Sequence, residues 1–144
     1  VDLPELWDFF TSLPTTVVVD HMGRPDVSKP VDGPEFELFL KLMREHQNVW
    51  SKVSCPERLS VTGPKALDGE QNAYRDVVPF ARRVVEEFPD RVLWGTDWPH
   101  PNLKDHMPDD GLLVDFIPHI APTAELQKKL LVDNPMRLYW PEEA

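Results

Sequence analysis

Three short runs rich in β-branched and aromatic residues constrain the fold of this chain most strongly. They cover residues 16–21, 49–55 and 91–97. The first and third contain few polar residues until their last positions, which is typical of a parallel strand covered on both faces. We therefore predict three strands that lie within a sheet.

Helical periodicity fills the intervals between these runs. Apolar residues recur at spacings of three and four over residues 34–46 and 73–88. Shorter helices are predicted over residues 4–10 and 123–132, the second with Thr123 as its N-cap. Tyr139 and Trp140 follow and are expected to pack against the flank of the fold. The order α-β-α-β-α-β-α predicts an α/β fold with a parallel sheet and crossover helices.

The length of the chain leaves two architectures open. A (β/α)8 barrel usually needs about 250 residues, whereas this chain has 144. Three strand–helix units fit either a small open α/β sheet or the last three-eighths of a barrel. The chain also opens without Met inside a predicted helix, so we expect residues 1–144 to be part of a larger domain.

Charge and cysteine content exclude several classes of function. The net charge of −10 argues against a nucleic acid or an anionic membrane as partner, because both require a cationic face. The single cysteine, Cys55, excludes an internal disulfide and a cysteine-rich zinc site. No apolar run is long enough to span a bilayer, so we expect no membrane span. The N-terminus lacks the pattern of a signal peptide and the chain has one cysteine, so a cytoplasmic location is the default expectation.

Asp97 is the strongest candidate for catalysis, because functional groups in parallel α/β folds follow the carboxyl ends of strands. Alternation along the third strand places it on one face with Leu93 and Gly95, which predicts that it points inward. There it could act as general base on a water or bind a metal. The alternative is a structural aspartate that caps the turn before Pro99.

His21 is the second candidate and shares a predicted face with Val17 and Val19. A neutral imidazole can bind a metal, and a protonated one can polarise a carbonyl. A core histidine bonded to a neighbouring carboxylate is the alternative.

Two arginines follow two of the strand ends in an otherwise acidic chain. Arg24 and Arg58 can each hold a carboxylate through two hydrogen bonds, which suggests a dianionic substrate. Ordinary ion pairs with Asp26 or Glu57 remain the alternative. His100, three residues after Asp97, could orient that carboxylate, contact substrate or hold the loop.

Four segments together resemble a known family: DHMGRPD, SCPERLS, WGTDWPHPN and NPMRLYW. They are similar to the amidohydrolase superfamily, and within it to the 2-pyrone-4,6-dicarboxylate lactonases. GTDWP by itself would identify only the superfamily, whereas HMGRPD, CPERL and GTDWPHPN in this order are more specific.

This resemblance implies a TIM-type (β/α)8 barrel of which the chain holds about strands six to eight. The implied reaction opens the lactone ring of 2-pyrone-4,6-dicarboxylate during bacterial breakdown of lignin-derived aromatic acids. Asp97 would activate water, His21 would polarise the lactone carbonyl, and Arg24 and Arg58 would hold the carboxylates, with His100 as a further substrate contact. No metal or other cofactor is implied for these lactonases.

Two departures from the family pattern limit what the chain can do by itself. It lacks the His-x-His pair of the superfamily's first strand and five of the eight strands, so we expect it to be inactive alone. The stretch over residues 65–74 is also longer than the loop expected after Arg58.

Two other functions remain open. One is a metal-dependent hydrolase or decarboxylase of the same superfamily, with His21 and Asp97 as zinc ligands. The other is a non-catalytic half-barrel that associates, for instance as a homo-oligomer, because its exposed sheet edges favour pairing.

Overall fold

The sheet is parallel, as predicted. The structure, a computed structural model, describes residues 3–64 and 73–144. It contains the strands β1 (Val17–Val19), β2 (Val49–Lys52) and β3 (Val92–Leu93), in the order β1-β2-β3. Val17 pairs with Val49, and Lys52 pairs with Leu93. The long loop predicted over residues 65–74 falls mostly on residues 65–72, which lie outside the described residues.

Helices separate the strands in the predicted order. In the described residues they are α1 (Leu3–Ser12), α2 (Pro34–Glu45), α3 (Pro56–Leu59), α4 (Val78–Glu87), α5 (Asp110–Asp115), α6 (Ile117–Ile120), α7 (Ala124–Lys128) and α8 (Asn134–Tyr139). A π-helical turn, Lys129–Asp133, joins α7 to α8. Periodicity did not predict α3, α5 and α6, because helices of four to six residues are too short to show a repeat.

Helix α2 shows how local sequence sets an element. Gly33 precedes it in an extended conformation, and Pro34 occupies its first turn, where a missing N–H costs nothing. Phe36, Phe39 and Leu40 are among the residues that form its buried stripe. The prediction over residues 34–46 is therefore accurate to one residue.

The strands are shorter than predicted, because the backbone turns sharply beyond each of them. His21, Cys55 and Asp97 all have positive φ, at 54°, 66° and 63°. An extended strand cannot include a residue in this left-handed region. The predicted strands over residues 16–21, 49–55 and 91–97 therefore overran into the turns that carry the polar residues.

Helix α4 begins at Val78, although periodicity predicted a helix from residue 73. Tyr74 has a φ of 58°, which ends any helical run at that point. Pro79 then lies in the first turn of α4, where proline is favoured. Buried apolar residues at 73, 74 and 77 continue the helical spacing without being part of the helix.

The core lies between the sheet and its covering helices. Val49, Val84, Val92, Ile120 and Leu130 are all fully buried. In the described ranges, no helix is both long enough and apolar enough to cross a membrane.

Candidate active site

The polar residues that follow the three strands meet at the carboxyl edge of the sheet. His21 follows β1, Cys55 and Arg58 follow β2, and Asp97 follows β3. The left-handed turns that shorten the strands also redirect these side chains, so strict alternation does not explain where they point. The predicted convergence of His21, Arg58 and Asp97 is nevertheless present.

Arg58 lies at the centre of this cluster. Its Nη2 donates to Asp97 Oδ2 at 2.7 Å and also lies 3.0 Å from His21 Nε2. Its Nε donates to Cys55 Sγ at 2.7 Å. Cys55 is left-handed and Pro56 starts α3, so the short helix carries Arg58 back over the strand end. The guanidinium thus links all three strand ends.

His21 is held as a neutral imidazole. Arginine only donates hydrogen bonds, so Nε2 accepts from Arg58 and the proton lies on Nδ1. Nδ1 then donates to Ser54 Oγ at 2.8 Å. Burial lowers the pKa of His21 below its ordinary value, while the nearby Asp97 carboxylate acts in the opposite direction. His21 Nε2 is 3.7 Å from Asp97 Oδ1.

Cys55 is a buried thiol rather than a nucleophile. Burial raises its pKa to about 12. Its Sγ lies 3.6 Å from Asp97 Oδ2, so the protonated thiol donates weakly to the carboxylate. Cysteines that attack substrates need a lowered pKa, and Cys55 has the opposite.

His100 lies behind this cluster, between two carboxylates. Its side chain is 3% exposed, with Nδ1 at 3.5 Å from Glu57 Oε1 and Nε2 at 3.0 Å from Asp110 Oδ1. Its backbone N–H donates to the carbonyl of Asp97 at 2.7 Å. Three roles are predicted for His100, and this placement favours the one in which it holds the Asp97 loop.

Sequence reasoning missed Glu57 and Asp110 as partners of this histidine. Glu57 precedes Arg58, and Asp110 begins α5. Both contacts join residues at least ten positions apart in the chain, so no local pattern in the sequence indicated them.

Arg24 is placed differently from Arg58. It is exposed, and it lines an apolar cavity of about 690 Å³ together with Met22 and Phe36. Within residues 3–64 and 73–144 it makes no hydrogen bond to the cluster. The structure therefore brings one of the two predicted arginines, and not both, into contact with Asp97.

Three side chains of this cluster could offer ligands to a metal ion. One ligand atom each from His21, Cys55 and Asp97 lie within 4.8 Å of one another. The positively charged Arg58 guanidinium already bonds to all three residues, so a divalent cation would have to displace it against charge repulsion. The protonated Cys55 is also a poor ligand, because metals bind the thiolate. With Arg58 in this position, the described residues of the cluster do not fit a divalent metal.

Comparison with known proteins identifies the family. The amidohydrolase family model matches residues 1–140. The chain belongs to the amidohydrolase family. A 2-pyrone-4,6-dicarboxylate hydrolase of Comamonas testosteroni is 94% identical over 143 residues, which are 99% of this chain and 47% of that protein. A 4-sulfomuconolactone hydrolase of Hydrogenophaga intermedia is 42% identical over 130 residues, 89% of this chain and 39% of that protein.

Solved structures share the fold of this amidohydrolase chain. A probable 2-pyrone-4,6-dicarboxylic acid hydrolase from Acinetobacter baumannii, with citric acid bound, superposes with a TM-score of 0.69 and 26% identity. The match covers 94% of this chain and 48% of that one. The chain thus has an α/β amidohydrolase fold and spans less than half the length of the relatives described here.

Proposed function

We propose that residues 1–144 form the C-terminal part of a (β/α)8 barrel, with β1, β2 and β3 as its sixth, seventh and eighth strands. The proposed enzyme is a cytoplasmic hydrolase that opens the lactone ring of 2-pyrone-4,6-dicarboxylate in the breakdown of lignin-derived aromatics. Two observations support it: the parallel three-stranded sheet, and the 94% identity to a hydrolase about twice as long. The other strands would come from the part of the relatives that this chain does not cover.

The observation that carries this proposal is the hydrogen bond between Arg58 and Asp97 at 2.7 Å, beside His21. It places a carboxylate base, a carboxylate-binding cation and an imidazole within one small volume. Hydrolysis of an anionic lactone needs a base for water and a cation for the substrate, and both are present here.

Asp97 would act on water. Its carboxylate accepts a proton while the water oxygen bonds to the lactone carbonyl carbon, giving a tetrahedral oxyanion. When the oxyanion collapses, the ring C–O bond breaks. The departing enolate oxygen takes the proton back from Asp97, so the products are a new carboxylic acid and an enol, and the base is regenerated.

Arg58 would change partners when substrate binds. A substrate carboxylate competes with Asp97 for the guanidinium, and a bidentate pair with the substrate would release Asp97 to take a proton. Arg24 and His100 remain proposed contacts for the substrate's carboxylates. For His100 such contact requires an opening of the pair with Asp110, since its ring is 3% exposed.

His21 would polarise the lactone carbonyl only after Arg58 has moved. In the present arrangement its Nε2 accepts from Arg58 and has no proton to donate. Once the guanidinium turns to the substrate, Nε2 faces the space beside Asp97 and can take up a proton from the solvent. The protonated Nε2 then donates a hydrogen bond to the developing oxyanion.

We propose that the reaction proceeds without a metal, because Arg58 fills the position between the ligand atoms. A metal-dependent hydrolase or decarboxylase remains the alternative, with His21 and Asp97 as zinc ligands. Metal analysis of the full-length protein separates the two. Stoichiometric zinc whose removal abolishes turnover would overturn the metal-free proposal.

The experiment uses a full-length protein, made by joining this chain to the remaining part of the Comamonas testosteroni relative. We expect Asp97→Asn to lower kcat for lactone hydrolysis by about 10²- to 10⁴-fold, as loss of a general base does. Arg58→Met should mainly raise KM, by about 10- to 100-fold, because a charge-assisted contact is lost. Steady-state kinetics on the lactone measure both effects.

The matched control is Asp115→Asn, an exposed aspartate at the end of α5, which should leave both constants unchanged. Asp97→Asn with most of its activity left would exclude the general-base role. An unchanged KM for Arg58→Met would show that Arg58 does not bind the substrate.

A further inference from the structure

Glu57 is a buried carboxylate that the proposed reaction does not use. Its side chain is fully buried, and neither of its oxygens has a hydrogen-bond partner among the described residues. Burying a carboxyl group without a hydrogen-bond partner is unfavourable. The side chains nearest to Glu57 therefore decide how it is accommodated.

His100 is the group that faces Glu57. Its Nδ1 lies 3.5 Å from Glu57 Oε1, which is within ion-pair distance but longer than a good hydrogen bond. On the other side of the ring, Nε2 lies 3.0 Å from Asp110 Oδ1. Carboxylates only accept, so each ring nitrogen that carries a proton stabilises the carboxylate it faces. The ring is thus held between α3 and the start of α5.

The backbone of His100 is directly bonded to Asp97. Its N–H donates to the Asp97 carbonyl at 2.7 Å and closes the turn between the two residues. Both have positive φ, 63° for Asp97 and 59° for His100. Such conformations are unfavourable for residues with a Cβ and persist only where surrounding contacts hold them.

Glu57 and Arg58 are consecutive residues of α3, and Asp97 is linked to both of them. Arg58 bonds to the Asp97 carboxylate, while Glu57 faces the ring whose backbone closes the Asp97 turn. The same short helix therefore sets both where the carboxylate points and where its backbone lies.

We propose that Glu57 is a positioning residue for Asp97 that acts through His100. This inference rests on the proposed function, because it assumes that Asp97 is the base. Removing the Glu57 charge frees the His100 ring, the turn relaxes, and Asp97 shifts relative to the substrate. Misplacement of a reacting group by about 1 Å can cost roughly 100-fold in rate.

The test uses the same full-length protein and the variants Glu57→Gln, His100→Gln and their double mutant. We expect Glu57→Gln to lower kcat by roughly 10- to 100-fold while KM changes by less than about threefold. His100→Gln should lower kcat similarly, and the double variant should be no slower than the slower single one, because both act on one turn. Glu86→Gln, an exposed glutamate on α4, is the control and should match the parent.

The double variant distinguishes positioning from mere packing. If the two effects on kcat multiply, or if Glu57→Gln stays within about twofold of the parent, Glu57 does not act through His100 and the inference is overturned. If Glu57→Gln does not fold, Glu57→Asp takes its place, with the charge kept and the reach shortened. It should show a smaller loss with the same absence of additivity.

The parent protein and its Asp97→Asn variant separate the two proposals. If the parent protein does not hydrolyse the lactone, the proposed function fails. If Asp97→Asn stays active, Asp97 is not the base, and the positioning role that assumes it fails too. If that variant is inactive while Glu57→Gln is as fast as the parent, only the positioning role of Glu57 fails.

Discussion

One guanidinium, that of Arg58, organises the candidate site at the scale of single residues. It bonds to a carboxylate, an imidazole and a thiol that come from three different strand ends. The sequence predicted that Arg58 binds a carboxylate of the substrate. In the structure it already holds Asp97, so in the proposed reaction substrate binding would exchange one carboxylate for another.

The protonation of His21 should report this exchange. Burial lowers its pKa, the Asp97 charge opposes that effect, and the Arg58 charge adds to it. In the full-length protein we expect the pKa of His21 to fall further in Asp97→Asn and to rise in Arg58→Met. An NMR titration of the ring protons measures both shifts. Equal values in parent and both variants would contradict the contacts described here.

The lowered pKa of His21 also makes the stability of the fold depend on pH. The folded pKa of His21 lies below its unfolded value of about 6.5. The unfolded state therefore binds the proton first as pH falls. The stability that neutral His21 contributes is fully present above about pH 6.5 and is lost as pH falls through the folded pKa.

At the scale of elements, buried polar side chains tie the helices to the sheet. Asn134 starts α8 and is fully buried. Its Nδ2 donates to the carbonyls of Pro89 and Val92, both at 2.8 Å. Arg91 likewise donates to the carbonyls of Met43, His46 and Val49. These bonds satisfy carbonyls at or just before the first residues of β2 and β3, and one carbonyl in the last turn of α2.

Asn134→Ala should destabilise the fold by about 1–3 kcal/mol, because it leaves two carbonyls without their donor. Urea unfolding of the full-length protein, followed by circular dichroism, measures the change in the free energy of unfolding. Gln47→Ala, at an exposed turn before β2, is the control and should stay within about 0.5 kcal/mol of the parent. An equal stability for both variants would show that the Asn134 bonds contribute nothing net.

At the scale of the whole molecule, the three-stranded sheet has two open edges. β1 and β3 each pair with one neighbour only in the described part of the chain. Large apolar side chains are exposed on both flanks: Phe9 at 58% and Leu6 at 41% on α1, Val132 at 50% and Trp140 at 52% near α8. The packing expected for Tyr139 and Trp140 is thus incomplete within these residues.

The 144-residue chain by itself should therefore self-associate. Open edges and apolar flanks favour pairing with another chain. We expect multi-angle light scattering to give a mass above the 16.6 kDa of one chain, and we expect no lactone turnover from it. Co-expression with the remaining part of the Comamonas testosteroni relative should restore activity. If the chain is a monodisperse monomer with lactone turnover, its activity does not depend on that remaining part. The same result would exclude the non-catalytic half-barrel.

The sequence by itself determined the order of helices and strands, the parallel sheet and the clustering of His21, Arg58 and Asp97 at one edge of it. Local periodicity encodes the elements, and a parallel sheet gathers its carboxyl ends at one edge. Only the tertiary structure decided that left-handed residues follow the strands, that Arg58 holds Asp97, that Arg24 lies elsewhere, and that Glu57 faces His100. These features depend on contacts between residues about 40 positions apart, such as Arg58 and Asp97, which no local pattern records.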